Sequence, residues 1–237
     1  MIHIEFCTPL IYQGLESHIF DIVLRVAILQ SIFYNKMSKK VHCYKRKDIN
    51  KMTVEPIRSK VKITKMYNYL KAKDDKYALL FKFGLNTGLR ISDILPIKIN
   101  SLILQNGTYR EYLVVKEKKT SKEKKIKIND SLKKELSGYI KQHNMKTDDY
   151  LFPSKKGGHI GRVQSYRFLK EAAELMGIEN FGTHSLRKTW GYWTYKLSKY
   201  NIGLIMDTFN HSNQQITLRY IGINQDQKDD LYTLVQF

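Results

Sequence analysis

The sequence of 237 residues has only two cysteines, Cys7 and Cys43, and four prolines. Two thiols at this spacing are too few for a disulfide framework or a zinc site. The most apolar stretch, residues 18–34, is interrupted by Asp21 and Arg25, and it is too short and too charged to span a membrane. No basic region precedes it, as a secretory signal would require. These absences predict a cytoplasmic protein that does not bind membranes.

Acidic residues are also scarce, with 22 Asp and Glu against 41 Lys and Arg, which gives a net charge of +19. A surplus of this size exceeds what solubility requires and indicates a polyanionic partner. Nucleic acid fits best, because each neutralised phosphate releases condensed counterions. An anionic membrane surface and a merely well-solvated basic surface are the alternatives.

The composition divides the chain into three segments. Residues 1–36 form an apolar opening, expected to be an extra amphipathic segment or sequence upstream of a natural start at Met37. Residues 37–53 are rich in lysine with almost no apolar periodicity, which predicts a basic arm or linker. Residues 54–237 carry regular hydrophobic periodicity and are expected to form one domain.

Periodicity within 54–237 predicts a mainly α-helical fold with a small three-stranded antiparallel β-sheet, an α+β arrangement. The sheet is assigned to residues 102–104, 111–117 and 124–128, with a turn at Asn106-Gly107. Helices are predicted at about residues 61–70, 76–85, from 89 to Pro96, 131–143, 162–176, 183–197, 202–209, 214–220 and 228–235.

A first motif, Thr87-Gly88-Leu89-Arg90-Ile91-Ser92-Asp93, places an arginine directly after a glycine break. Arg90 is expected at a helix N-terminus, a position that favours an anion. Asp93, three residues on, lies on the same face and is expected to hold the guanidinium. The alternative is an ordinary Arg-Asp pair on a solvated helix face.

A second motif, His184-Ser185-Leu186-Arg187, follows Thr183, which is predicted to cap the helix. The spacing of three puts an imidazole and a guanidinium on one helix face. Arg187 can bind two oxygens of a phosphate, and His184 can exchange a proton near neutral pH. A partly buried structural histidine is the alternative.

A third motif runs from Asn210-His211 to Arg219-Tyr220. Ser212 and Gln215 predict a capping box, which puts His211 just before the helix and Tyr220 near its end. Tyr220 is one of sixteen tyrosines, so an ordinary structural aromatic is the alternative.

The order and spacing of the three motifs resemble the tyrosine recombinase and phage integrase family from about Val54 to about Asp230. The resemblance implies that residues 54–237 are the catalytic domain in a short form, without the full clamping domain that precedes it in many members. It implies that Arg90 and Arg187 bind the scissile phosphate and that His184 assists proton transfer. It also implies that His211 hydrogen-bonds the phosphate, that Tyr220 is the nucleophile and that Asp93 supports Arg90.

The family also uses a lysine in a β-hairpin turn as general acid. Here the turn is Lys116-Glu117-Lys118-Lys119-Thr120-Ser121-Lys122, and its Lys-Thr pair selects Lys119. Lys118 and Lys122 are the other candidates, and all of these lysines could instead contact only DNA backbone or solvent.

The implied reaction needs no cofactor and no metal ion, since arginines and lysine stabilise the transition-state charge. ATP is unnecessary because bond energy is conserved in a phosphotyrosyl intermediate. The implied partner is double-stranded DNA, which would bring the protein to the nucleoid, with a homotetramer on DNA and accessory DNA-bending proteins. Two alternatives stay open: a catalytically silent DNA-binding regulator on the same fold, and a type IB topoisomerase.

Overall fold

The computed structural model describes residues 54–223. The predictions for residues 1–36, for the arm 37–53 and for a helix at 228–235 lie outside these residues. Eight α-helices and two β-strands form within 54–223. In chain order they are α1 (Lys60–Lys73), α2 (Asp75–Thr87), α3 (Ile91–Ile94), β1 (Tyr112–Lys116), β2 (Glu123–Lys127), α4 (Asp130–Gln142), α5 (Arg162–Leu175), α6 (Ser185–Leu197), α7 (Ile202–Phe209) and α8 (Gln214–Tyr220). The mainly α-helical prediction is confirmed.

Helix α2 is the centre of the main hydrophobic core. It is apolar on most of its circumference, and Tyr77, Leu80, Phe81 and Phe83 are almost completely buried. A helix that is apolar on nearly all sides is stable only when other elements surround it. Helices α1, α4, α5 and α6 all pack against α2. Helix α2 thus joins the glycine break before Arg90 to α6, the helix that carries Arg187.

The predicted three-stranded sheet is wrong in strand number. Strands β1 and β2 pair antiparallel from Tyr112↔Lys127 to Lys116↔Glu123, but residues 102–104 contribute only the isolated bridge Ile103↔Tyr109. A 3₁₀ turn at Ile99–Ser101 precedes them. Leu102 is completely buried and its N–H bonds to the Ile99 carbonyl. This short apolar run therefore belongs to the core. Periodicity alone does not distinguish such a buried run from a strand.

A second, smaller core joins α6, α7 and α8. Ile205, Phe209 and Ile221 are buried there, with Trp190 and Tyr220 packed against them. Gly191 of α6 lies at the closest approach, since a Cβ atom there would be 2.8 Å from the side chains of Ile221 and Phe209. The absence of a side chain at this position lets α7 and α8 pack directly on α6.

We expect Gly191→Ala to lower the free energy of unfolding by about 1–3 kcal/mol, because the added methyl overpacks this contact. Gly138→Ala is the matched control. Gly138 lies in α4, where a Cβ atom meets nothing within 4 Å, so alanine should stabilise that helix by about 1 kcal/mol. Urea denaturation measures both, and equal effects of the two substitutions would contradict the assigned packing.

Candidate active site

A glycine at the end of α2 organises the first part of the site. Gly88 has a φ angle of 61° and ends α2 in the left-handed conformation, and a Cβ there would lie 2.5 Å from the Trp190 ring. The chain then turns so that Arg90 occupies the N-cap position of α3. The Gly88 carbonyl also accepts a 2.7 Å hydrogen bond from Arg187 Nη1. One turn therefore orients both motif arginines.

The side chain of Glu117 lies between the two arginines. Its Oε1 atom is 3.0 Å from Arg90 Nη1 and 3.7 Å from Arg187 Nη1. Glu117 is 1% exposed and Arg187 2% exposed. Burial by itself would raise the pKa of Glu117, but a hydrogen bond from Thr120 and the charges of Arg90 and Arg187 hold that pKa below its ordinary value. Glu117 is therefore a buried carboxylate in its charged form.

Asp93 supports the cluster less directly than the sequence predicts. Its Oδ2 atom is 3.9 Å from Arg90 Nη1, farther than Glu117. The other oxygen, Oδ1, accepts a 3.1 Å hydrogen bond from the backbone N–H of Lys118. Asp93 thus contacts the first arginine on one side and the hairpin turn on the other.

Two guanidinium nitrogens at this place are incompletely hydrogen-bonded. Arg90 Nη1 forms an ion pair with Glu117 Oε1 but no well-formed hydrogen bond, and Arg187 Nη2 likewise has no well-formed hydrogen bond within residues 54–223. A buried donor without an acceptor is costly, and guanidinium groups bind phosphate oxygens well. The pair fits an oxyanion such as a phosphodiester.

His184, Tyr220 and His211 form the second half of the site. His184 Nδ1 lies 3.3 Å from the Tyr220 hydroxyl. The rings of His211 and Tyr220 have centroids 5.2 Å apart, and Phe209 packs on both rings. His211 Nδ1 contacts Thr217 Oγ1 at 3.0 Å, which leaves Nε2 for another partner. Two residues far apart in sequence, His184 and Tyr220, are thus brought within hydrogen-bonding distance.

The electrostatic setting shifts the pKa of each of these three groups. Burial raises the pKa of Tyr220 and outweighs the lowering effect of Arg187 and Arg90. Desolvation by the surrounding protein, followed by the charge of Arg90, lowers the pKa of His184. Desolvation, followed by Arg187, likewise lowers that of His211. Near neutral pH the resting pair is a protonated tyrosine beside a neutral imidazole.

The hairpin between β1 and β2 presents its lysines differently. Lys119 is exposed, and its positive charge is one of those that lower the pKa of His184, so it lies within electrostatic range of that ring. Lys122 Nζ instead contacts Asn210 Oδ1 at 3.2 Å. Lys118 is exposed, and its backbone bonds to Asp93.

Two charged residues of this neighbourhood were missed by the sequence motifs, Glu117 and Lys124. Lys124 donates a 2.8 Å hydrogen bond to the Thr208 carbonyl at the end of α7, and burial, then the charge of Arg187, lowers its pKa to about 8. Strand alternation is the signal that could have found Glu117. Glu117 directly follows β1 and continues the alternation of Leu113 and Val115, and the burial of Leu113 marks that face as inward.

The local caps differ from two predictions. Asn213, not Ser212, caps α8, and its side chain accepts from the Gln215 N–H. Thr183 does not cap α6, since His184 occupies the N-cap position without a side-chain cap bond. The hydroxyl of Ser185, the first residue of α6, ties the helix start to neighbouring segments. It accepts a hydrogen bond from the Gly182 N–H and donates one to the Glu55 carbonyl.

The fold and this constellation define the class: a helical domain in which two arginines, two histidines and a tyrosine converge. The model of the phage integrase family matches residues 58–227, most of the chain. The chain belongs to the phage integrase family and is a tyrosine recombinase by membership.

Individual relatives agree with this assignment. The probable integrase/recombinase YoeC of Bacillus subtilis (strain 168) is 45% identical over 174 residues, which cover 73% of this chain and 92% of YoeC. The chain spans about half the length of other curated relatives, for example 54% of the tyrosine recombinase XerA of Saccharolobus solfataricus (strain ATCC 35092 / DSM 1617 / JCM 11322 / P2), which is 27% identical and covers 73% of this chain.

A solved structure shows the same fold. The XerH site-specific recombinase bound to palindromic difH substrate, a post-cleavage complex, superposes with a TM-score of 0.60 at 18% identity, over 78% of this chain and 54% of that one. No helix among residues 54–223 is long and apolar enough to cross a membrane.

We expect the His184 ring to titrate below the ordinary histidine pKa of about 6.5. The unfolded chain then binds a proton that the folded chain does not, so His184 should reduce stability as pH falls below about 6.5. NMR titration of the ring measures the pKa, with His184→Asn to assign its resonance. Removing a nearby cation with Lys188→Gln should raise this pKa, since the charge of Lys188 helps to lower it.

The control for this titration is Lys170→Gln, because Lys170 lies on α5 and pairs with Glu174. A wild-type pKa at or above the ordinary value, or an equal response to both lysine substitutions, would contradict the assigned electrostatics.

Proposed function

We propose that this chain is a site-specific DNA recombinase that cleaves and rejoins double-stranded DNA through a 3′-phosphotyrosyl intermediate on Tyr220. The observation that carries the proposal is the 3.3 Å contact of His184 Nδ1 with the Tyr220 hydroxyl. This contact lies beside the buried Arg187 and the partly buried Arg90. Arg187 Nη2 has no well-formed hydrogen bond within residues 54–223. Family membership supplies the independent support.

Phosphate binding is assigned to Arg90, Arg187 and His211. The transition state of attack on a phosphodiester carries added negative charge, and cations fixed in advance around it lower the barrier. Arg187 is held rigidly by the Gly88 carbonyl and by the Phe209 ring, 4.5 Å from its guanidinium carbon. His211 presents Nε2, because Nδ1 is engaged by Thr217.

The nucleophile and its base are assigned to Tyr220 and His184. Because burial keeps the tyrosine protonated, attack requires the phenolic proton to leave as the Oη–P bond forms. Neutral His184, with Nδ1 unprotonated, accepts it over the observed contact. The P–O5′ bond then breaks, and a proton from Lys119 converts the departing oxygen to a 5′-hydroxyl. The reverse sequence, with a hydroxyl from another duplex, rejoins the strand.

The assembly follows from the chemistry. Joining two duplexes requires four cleaved strands, hence a homotetramer on DNA, with accessory DNA-bending proteins as further partners. The net charge of +19 favours DNA binding through phosphates, and this binding would place the protein on the nucleoid of the cytoplasm. Within this proposal residues 54–237 are the catalytic domain, residues 37–53 an arm that tracks phosphates, and residues 1–36 an additional segment.

Tyr220→Phe should abolish a covalent protein–DNA adduct while leaving DNA affinity nearly unchanged, because only the attacking oxygen is removed. The protein is incubated with a library of nicked duplexes from its source DNA, denatured and recovered, and the attached DNA is sequenced. Tyr200→Phe is the matched control, since Tyr200 is 55% exposed and lies in the loop before α7.

Each other outcome has a distinct meaning. An adduct that survives Tyr220→Phe assigns the nucleophile elsewhere. Salt-sensitive DNA binding without any adduct on a demonstrated target identifies a silent regulator, and relaxation of plasmids that lack the target site identifies a topoisomerase.

Lys119→Ala should slow cleavage of ordinary DNA by on the order of 10²- to 10⁴-fold, the usual contribution of a general acid. Cleavage of DNA with a bridging sulfur in place of the scissile O5′ atom should be nearly unaffected, because a thiolate (pKa about 8.5) leaves without a proton. Single-turnover adduct formation on both substrates measures this. Lys118→Ala and Lys122→Ala are the matched controls, and rescue by sulfur in one of these instead of Lys119→Ala would reassign the general acid.

A further inference from the structure

We propose that Glu117 is a positioning residue that couples the phosphate-binding arginines to the turn carrying Lys119. The inference rests on the proposed function and deepens it. One carboxylate reaches both halves of the site: Oε1 faces Arg90 and Arg187, and Oε2 accepts a 2.8 Å hydrogen bond from Thr120 Oγ1. Thr120 directly follows Lys119 in the chain.

The contact of Glu117 with the arginines compensates their positive charge. Arg90 and Arg187 are like charges close together in a buried place, and each disfavours the other. Glu117 Oε1 is closer to Arg90 Nη1 than Asp93 Oδ2 is, at 3.0 Å against 3.9 Å. A carboxylate there neutralises part of the repulsion and draws both guanidinium groups toward one point. Its contact with Arg90 Nη1 is an ion pair and not a well-formed hydrogen bond, and Arg187 Nη2 has no well-formed hydrogen bond within residues 54–223.

The contact of Glu117 with the turn fixes the position of the turn. The backbone of Glu117 also closes the hairpin, since its N–H bonds to the Lys122 carbonyl at 2.9 Å and its carbonyl accepts from Ser121 N–H at 2.8 Å. Together with the Thr120 hydroxyl, three hydrogen bonds tie residue 117 to the turn. A shift of the arginine pair is therefore transmitted to the turn, and phosphate binding and general-acid placement change together.

A hydrophobic residue would be the ordinary choice at this position. Glu117 directly follows β1 and continues its inward-facing alternation of Leu113 and Val115, and it is buried as completely as Leu113. An ionised carboxylate is costly to bury unless it is paired. Glu117 is paired with Arg90 and Arg187, the two arginines assigned to the phosphate. This pairing accounts for the charge of Glu117, because the hairpin itself needs only an apolar contact and an acceptor for the Thr120 hydroxyl.

The test separates the two contacts with three single substitutions. Glu117→Gln keeps the shape and a side-chain oxygen for Thr120 but removes the charge. Thr120→Val keeps the shape of residue 120 and the charge of Glu117 but removes the hydroxyl. Glu123→Gln is the matched control, because it removes the same charge from an exposed position in the same hairpin. Single-turnover adduct formation is measured on ordinary DNA and on DNA with bridging sulfur at the 5′ position.

Glu117→Gln should slow cleavage by about tenfold to a hundredfold on both substrates, the usual effect of losing an outer partner of a functional group, because it acts through the arginines. Thr120→Val should slow cleavage by about fivefold to tenfold, equivalent to one hydrogen bond. That loss should occur only on ordinary DNA and should vanish with bridging sulfur, because it acts through Lys119. The control should match the wild type on both.

Several results would overturn the inference. If Glu117→Gln and Thr120→Val both match Glu123→Gln while the wild type forms its adduct, Glu117 has no positioning role and the proposed function stands. Loss of Thr120→Val activity on both substrates would show that the hydroxyl does not act through Lys119. Thermal melting identifies misfolding of Glu117→Gln, in which case Thr120→Val decides alone. A wild type without any adduct on its demonstrated target refutes the proposed function itself.

Discussion

The placement of a buried arginine, Arg187, beside a partly buried one, Arg90, is the constraint on which the rest of the site depends. A guanidinium that is 2% exposed, as at Arg187, requires acceptors and opposite charge nearby. The chain provides a carbonyl at Gly88 and carboxylates at Glu117 and Asp93. These groups come from the α2–α3 turn, from α3 and from the residue that follows β1, so satisfying the arginines also determines where the hairpin lies. In this domain the pairing of the buried charges and the position of the hairpin are therefore coupled.

A second constraint places the nucleophile. Phe209 lies in contact with Arg187 on one side and with the rings of Tyr220, His211 and Trp190 on others. Such tilted and edge-to-face contacts are favourable and directional. The tyrosine is therefore held by aromatic packing, while its hydroxyl faces His184. The same packing that orients the hydroxyl also desolvates it and keeps it protonated, which makes proton removal part of the reaction.

Hydrophobic periodicity was sufficient for most of the fold. Helices α7 and α8 were predicted with the bounds that the structure has, although the predicted cap of α8 was Ser212 and the structure uses Asn213. In the structure Asn201 and Asn213 are the N-caps, and Asn210 ends α7 in the left-handed conformation. The third strand was wrong because residues 102–104 satisfy their burial in the core and their backbone groups in a 3₁₀ turn and a single bridge. A pattern of apolar residues indicates which residues are buried more reliably than it indicates which backbone groups they pair with.

The sequence by itself determined the class of the protein and the identity of the motif residues, because Arg90, His184, Arg187, His211 and Tyr220 have fixed order and local spacing. It also determined the strongly basic net charge of +19, because a net charge is a sum over residues and does not depend on the fold. Only the tertiary structure decided that Glu117 lies between the arginines, that Lys124 bonds to the end of α7, and that His184 contacts Tyr220. These relations join residues dozens of positions apart, and their energies depend on distance and burial. A sequence pattern contains neither the distances nor the burial, whereas packing around α2 and Phe209 determines both.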